Sequence, residues 1–444
     1  MPWETGSLVL VYNFILLDDI QLLAKMILLD QSESKLAAYR KYQLANGMTV
    51  IVAQRPHTGT FTICTELNVG MRDGGPHLAH LVEHRVMAHV DRICKRPEYL
   101  NAFTHFTKTR YWLSAHLDEF DSGLEMVKRV LLPLEANKKQ VQGEISILAS
   151  EFMEAGRAQM IFDQEHYRVL GGDDLSKSYR KEIDGVRLKI GVKAVNDFHE
   201  THYQPRNAVV AIVSPLNPEE VVARLDGVLA DVANSNEPTE EIAGASSAAI
   251  RKRFHARWYH AITSVGVWHK MSNVSVADRV ALKVLNSILG GKGRLFNEIR
   301  MKNSLCYNVH SHFEVFENTA WHSAFVNVSR RNAGRVGQLM REVIEGVTAP
   351  LSKEDFDEAI IAFAQQCDVA EESKWDLLAG LLDWNAGESR LLPPNEIKKM
   401  VLGLTAEQLA AAGKRFFSTE NRYWLISGSF WPMAYFKIKQ LSSK

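Results

Sequence analysis

Two histidines and a glutamate within one helical turn are the residues of this sequence best suited to chemistry. His80, Glu83 and His84 occur in the run His80-Leu-Val-Glu-His84. Positions i and i+4 of a helix lie about 5–6 Å apart at Cβ, so the two imidazoles can bind one metal ion. A carboxylate beside them can take a proton from a water molecule that zinc has made acidic. The spacing indicates a candidate zinc site in which Glu83 is the base. The alternative for this pattern alone is an amphipathic helix whose polar positions face solvent.

A hydrolytic zinc site needs a third protein ligand. The helix expected over residues 138–155 carries Glu144 and Glu151, which lie nearly two turns apart and on the same face. Either carboxylate could complete the site. A second histidine pair, His199 and His202, stands at i and i+3 before a Tyr-x-Pro turn, and we interpret it as structural.

The segments around these residues predict a mixed α and β fold. A turn at Asn46-Gly47 leads into the strand-like run 48–53, and a second such run covers 61–69. We predict that the two runs pair as a hairpin. After Gly75 the pattern becomes helical, and the apolar run 208–213 is typical of a buried strand. The first half is therefore expected to be α+β.

A polar, small-residue segment at 231–249 predicts a linker between two domains. The first domain would span 35–230 and carry the zinc site, and the second would span 250–444. The order of elements in the second half repeats that of the first, with strands and helices expected near 263–269, 274–289, 293–302, 306–314, 319–328, 330–348, 353–370 and 422–427.

The first thirty-four residues are apolar in two short runs that acidic residues interrupt. The interruptions, Asp18 and Asp19 among them, leave too few consecutive apolar residues for a membrane span, and no basic segment precedes the runs as in a signal peptide. We expect residues 1–34 to form an amphipathic helical extension that docks on its own chain or on a partner.

The composition is that of a folded protein of 444 residues, with 46% hydrophobic residues, enough for two or three domains. Lys plus Arg and Asp plus Glu are both 52, so nucleic acid is not an expected partner. The four cysteines are far apart and form no zinc-binding or disulfide pattern, which favours a reducing compartment. We expect a bacterial cytoplasmic location. The run Gly290-Gly-Lys-Gly293 lacks the spacing of a phosphate-binding loop.

Five short motifs in the same order resemble the pitrilysin-type metallopeptidases, whose inverted-zincin motif is His-x-x-Glu-His. The resemblance is to the short two-domain members related to the mitochondrial processing peptidase subunits. The motifs are His80–His84, Asn101–Thr104, the helix from 139 to 152, the segment 202–207, and Arg300 with Tyr307.

The resemblance implies a fold and an activity. The fold would be α+β, with two related domains, each a mostly antiparallel sheet covered on one side by helices, together forming half of a clamshell. The activity would be zinc-dependent endopeptidase cleavage of unfolded peptides or short polypeptides, including the maturation of a peptide precursor. The alternative is a non-catalytic structural or partner subunit with the same fold.

The resemblance also implies one Zn²⁺ per chain and a set of site residues. His80, His84 and Glu151 would bind the ion, Glu144 would orient a ligand histidine, and Glu83 would be the base. The spacing of 66 residues between His84 and Glu151 is shorter than is usual in the family, and Glu154 is the alternative third ligand.

The remaining motif residues would contact a peptide substrate. Asn101 and Ala102 would lie on a strand that pairs with the peptide, and Arg300 and Tyr307 would contact it from the second domain. Because this chain carries both the zinc motif and the Arg/Tyr pair, we expect a homodimer in which one protomer supplies Arg300 and Tyr307 to the other. A heterodimer with a related subunit is the alternative.

Overall fold

The computed structural model describes residues 26–183, 189–234, 253–256, 262–316, 319–385, 388 and 390–428. These residues form two sheets with helices packed on them, so the α+β prediction is confirmed. They group into two compact units. The first contains the described residues of 1–148, 189–242 and 370–394, and the second contains those of 149–188, 243–369 and 395–444. Each unit thus takes segments from both sides of the predicted linker.

The sheet of the first unit has seven strands in the order β1-β2-β3-β7-β4-β6-β5, antiparallel except for the pair β3 and β7. The strands are β1 Met26–Glu33, β2 Ala38–Leu44, β3 Thr49–Gln54, β4 Thr60–Leu67, β5 Pro97–Thr104, β6 Thr109–His116 and β7 Ala208–Ser214.

The predicted hairpin between β3 and β4 is wrong, although both strands exist. β7 lies between them, parallel to β3 and antiparallel to β4. The turn at Asn46-Gly47 instead joins β2 to β3, and Gly47 has the positive φ of 85° that glycine tolerates best. Because β7 is apolar on both faces, it is stable only at the centre of a covered sheet.

The helices that cover the two sheets are numbered along the chain. They are α1 Met71–Val90, α2 Phe120–Leu131, α3 Lys138–Ile183, α4 Val192–His202, α5 Pro218–Val228, α6 Val276–Leu289, α7 Arg294–Phe296, α8 Ala333–Gly346, α9 Lys353–Glu372, α10 Lys374–Asn385, α11 Pro394–Leu402 and α12 Ala406–Phe416. The division between the units falls within α3, which extends well beyond the predicted end at residue 155.

The first sheet is covered on both faces, because successive strand residues point to opposite sides. On one face, Val50 and Val52 belong to a core that includes residues of α1, α2 and α5. On the other face, Ile51 and Ala53 pack with four leucines of α10. The expectation that helices cover only one side is therefore wrong for this sheet. The apolar face of α10 explains the difference, since it must be buried against another element.

The predicted N-terminal helix is wrong for residues 26–33, and residues 1–25 lie outside the described residues. Residues 26–33 form β1, an edge strand that pairs with β2. Its apolar residues lie on a strand and are not gathered on one face of a helix, and Ile27 is 62% exposed. Backbone pairing with β2 decides the structure here, against the local pattern.

The sheet of the second unit has the order β10-β11-β9-β12-β8, antiparallel except for the pair β8 and β12. The strands are β8 Arg253–Ala256, β9 Ile262–Met271, β10 Cys306–Phe316, β11 Thr319–Ser329 and β12 Arg422–Gly428. β9 to β12 lie where the sequence predicts strands. Among the described residues, no helix is long and apolar enough to cross a membrane.

A buried charge network ties β4 and β6 to α10 in the first unit. Glu66 is 1% exposed, and its carboxylate accepts hydrogen bonds from Lys108 Nζ and Arg110 Nε, both at 2.7 Å. Arg110 also donates to Asp383 Oδ1 of α10 at 2.6 Å. Burial alone would raise the pKa of the Glu66 carboxyl, but the two cations outweigh burial and hold this pKa below its ordinary value.

We expect Glu66→Gln to lower the free energy of unfolding by about 3–5 kcal/mol, because it removes the buried carboxylate that both cations share and leaves Arg110 with the more exposed Asp383. The contribution of Glu66 is present above its unfolded pKa of about 4.3 and is lost as the pH falls through the lower folded pKa. Urea unfolding at pH 7 and at pH 3.5 measures both effects. Glu33→Gln removes an exposed partner of Arg40 and should change stability by no more than about 1 kcal/mol. Equal effects of the two substitutions would contradict the role of the network.

Candidate metal centre

The helix that carries the histidine motif, α1, consists of two helical segments joined at Gly75. Gly75 has φ 79° and ψ 166°, a conformation that strongly favours glycine. The segment after this kink contains His80, Glu83 and His84, as the sequence predicted. The kink therefore sets the direction in which the motif faces.

His80, His84 and Glu151 form a group of potential metal ligands. One ligand atom from each lies within 4.8 Å of those of the others, and within the described part of the chain this is the one such group found. The two imidazole rings are 4.7 Å apart and nearly perpendicular. Two imidazoles and a carboxylate are the donor set of many catalytic zinc sites, with the fourth position open. The residues present therefore fit a zinc ion.

The alternative ligand, Glu154, lies one turn further along α3, and its side chain is outside the described residues. Glu151 is exposed, whereas the two histidines are partly buried. Because the Glu151 carboxylate is exposed, one side of the group is open to solvent. A substrate would need such an opening to reach the group.

Burial keeps His80 in the form that binds a metal. Burial, together with the nearby His84, lowers the pKa of His80 to about 4. Burial and the proximity of His80 likewise lower the pKa of His77 to about 3. Both rings are neutral at pH 7, and a neutral imidazole can donate a nitrogen lone pair to a metal ion.

Glu144, in the first half of α3, contacts His84. Its Oε2 lies 3.2 Å from His84 Nδ1, and its Oε1 accepts a hydrogen bond from Arg85 at 3.3 Å. A proton on Nδ1 that is donated to Glu144 leaves Nε2 of His84 as the metal-binding nitrogen. In this arrangement Glu144 can fix the orientation of the His84 ring.

Glu83 is buried, with 5% of its surface exposed, and its Oε2 accepts a hydrogen bond from Thr104 Oγ1 at 2.6 Å. Thr104 is the last residue of β5. Sequence reasoning named the segment Asn101–Thr104 but gave Thr104 no role, because nothing in the sequence shows that β5 ends beside α1.

Asn101 and Ala102 lie on β5, which pairs with β6 and is the outermost strand of its sheet. Ala102 is buried, and Asn101 is exposed and donates to the Tyr99 hydroxyl at 3.2 Å. An edge strand presents backbone groups that can pair with another extended chain.

Arg300 and Tyr307 contact each other in the second unit. Arg300 lies in a π-helical segment, Asn297–Lys302, that follows α7. Its guanidinium stands 4.8 Å from the centre of the Tyr307 ring and donates to the Tyr307 carbonyl. Tyr307 is 84% exposed at the start of β10. Both residues line an open groove of about 730 Å³.

The second histidine pair has a structural environment, in keeping with the interpretation from sequence. His199 is buried, its Nε2 lies 3.0 Å from the Val130 carbonyl, and its ring stacks on Tyr203 at 4.4 Å. His202 packs beside Phe198 on α4.

This chain is similar to known proteins both in sequence and in fold. The family model described as "Peptidase M16 inactive domain" matches residues 189–363. The zinc protease PqqE of Helicobacter pylori is 23% identical over 367 residues, which cover 74% of this chain and 78% of that protein. A crystal structure of a protease from Helicobacter pylori superposes with a TM-score of 0.77 at 20% identity, covering 89% of this chain and 100% of its own.

A longer relative in fold is the periplasmic protease PqqL from Escherichia coli. It superposes with a TM-score of 0.69 at 15% identity, and the match covers 91% of this chain but 47% of that chain. The motifs of the sequence, the α+β fold and these relatives agree. In these respects the chain is similar to the pitrilysin-type peptidases, the M16 family.

Proposed function

We propose that this chain is a zinc-dependent endopeptidase that cleaves unfolded peptides or short polypeptides, such as a precursor that needs maturation. The observation that carries the proposal is the group of His80, His84 and Glu151, with Glu83 on the same helix. The family model whose description contains the word "inactive" matches 189–363, a segment that includes none of these residues.

His80, His84 and Glu151 would hold the zinc ion. When bound, zinc lowers the pKa of water and polarises a carbonyl group. Glu83 would take a proton from the attacking water and deliver it to the leaving amine, which is general base and then general acid catalysis. Glu144 would keep His84 in the orientation that the ion requires.

The substrate would bind as an added strand on the open edge of β5. Backbone hydrogen bonds near Asn101 and Ala102 would hold it with little dependence on sequence. The Tyr307 hydroxyl would donate a hydrogen bond to the carbonyl oxygen as negative charge develops, and Arg300 would anchor a neighbouring carbonyl.

We further propose a homodimer in which each active site takes Arg300 and Tyr307 from the second copy. The support is that the Escherichia coli relative has about twice this length in one chain, since the match covers 47% of it. A heterodimer with a related subunit is the alternative arrangement. A bacterial cytoplasmic location is proposed because the four cysteines are free thiols and the named relatives are bacterial.

The second candidate function is a non-catalytic partner subunit. The description of the matched family model favours it. The two candidates differ in whether the isolated protein cleaves peptides.

We expect Glu83→Gln to retain about one zinc per chain and to lower kcat/KM by at least about 100-fold, because the amide cannot accept the proton. Zinc analysis and cleavage of a quenched fluorescent peptide library measure the two properties. Glu125→Gln, which changes an exposed glutamate paired with Arg129 on α2, is the control and should cleave as the natural protein does. A natural protein that binds zinc but cleaves nothing would favour the non-catalytic subunit.

We expect Glu151→Gln to abolish stable zinc binding, whereas Glu154→Gln leaves it near one ion per chain. The reason is that the Glu151 carboxylate lies with both imidazoles and an amide oxygen is a poor zinc ligand. Titration of the zinc-free variants with Zn²⁺ gives the affinities. The reverse order of effects would make Glu154 the third ligand.

Co-expression of two inactive variants tests the shared active site. Glu83→Gln and Tyr307→Phe should each be nearly inactive alone. The co-expressed mixture should have about a quarter of the natural activity. The reason is that about half of its dimers contain both variants, and each of these has one intact site of two. Purification through a different tag on each variant isolates the mixed dimer. If the purified mixed dimer is inactive, the zinc site and the Arg/Tyr pair act within one chain.

A further inference from the structure

A short hydrogen bond joins the predicted base to the strand that would hold the substrate. Thr104 Oγ1 donates to Glu83 Oε2 at 2.6 Å, the length of a charge-assisted hydrogen bond to a carboxylate. Glu83 is buried on α1, and Thr104 is partly buried at the end of β5. The bond therefore lies where little water competes for the carboxylate oxygen.

The side-chain alternation of β5 directs Thr104 toward α1. Ala102, two residues earlier and on the same face, is buried in the core that includes residues of α1. Phe103 points to the opposite face and is 45% exposed. A hydroxyl at position 104 can thus reach the helix, whereas one at position 103 would not.

Backbone contacts fix the end of β5 against the start of α1. The Met71 amide donates to the His105 carbonyl at 3.1 Å, and the Arg72 amide donates to the Phe106 carbonyl at 2.8 Å. A Cβ atom on Gly70 would lie 2.4 Å from the His105 carbonyl oxygen, so this close approach requires glycine. The distance between Thr104 and the helix is therefore set by the backbone and not by a flexible loop.

We propose that Thr104 is a positioning residue for Glu83. Its hydroxyl holds one carboxylate oxygen, so that the other oxygen faces the attacking water in a fixed direction. Because Thr104 belongs to β5, the direction is defined relative to the strand on which the peptide would lie. This inference rests on the proposed peptidase function.

The pair Thr104→Val and Thr104→Ser separates positioning from packing. Valine keeps the shape and loses the hydroxyl, whereas serine keeps the hydroxyl and loses a methyl group. We expect Thr104→Val to lower kcat by roughly 10- to 100-fold with KM, zinc content and Tm near the natural values. Thr104→Ser should retain most of kcat. A residue that only fills space would show the opposite order, with the serine variant the weaker of the two.

Crystal structures of the zinc-loaded variants supply a measurement that does not depend on turnover. In Thr104→Val the Glu83 carboxylate should adopt a different side-chain rotamer, and in Thr104→Ser it should keep the natural one. An unchanged Glu83 in Thr104→Val, or an unchanged kcat, would overturn the proposal. If the natural protein cleaves nothing but Glu83 still moves in Thr104→Val, the peptidase function fails and the positioning role stands.

Discussion

The proposed chemistry depends on the convergence of two imidazoles and one carboxylate from two different helices. His80 and His84 are neighbours on α1 by helical geometry alone, but Glu151 must be brought to them by α3. Placed this close together, two imidazoles and a carboxylate supply the three protein ligands of a zinc site. The kink at Gly75 and the packing of α1 on the first sheet both serve this placement.

Around the group, each buried charge that the chemistry would use has a polar partner. Glu144 lies against His84 and Arg85, and Glu83 accepts a hydrogen bond from Thr104. Such partners fix the orientation of a side chain before a substrate arrives, which lowers the reorganisation needed during the reaction. On the opposite face of the sheet, the network of Glu66 serves stability, since it joins strands to α10 away from the histidines.

The parts of the structure that local sequence determines were predictable. The helix after Gly75, the buried strand β7 and the order of elements from β9 to β12 follow from turn residues and apolar periodicity within short segments. The order β3-β7-β4 was not predictable, because pairing between strands about 150 residues apart leaves no local pattern. β1 was missed for a different reason, because its pairing with the neighbouring strand β2 outweighs the amphipathic pattern that indicated a helix. The bond from Thr104 to Glu83 depends on how β5 ends against α1, which only the folded chain shows.

X-ray absorption at the zinc K edge, on the protein as purified, tests whether His80, His84 and Glu151 bind zinc. We expect about one zinc per chain with nitrogen and oxygen neighbours at about 2.0–2.1 Å and the multiple-scattering signature of two imidazoles. Absence of bound zinc, or a sulfur shell at about 2.3 Å from cysteine ligands, would contradict the assignment of His80, His84 and Glu151.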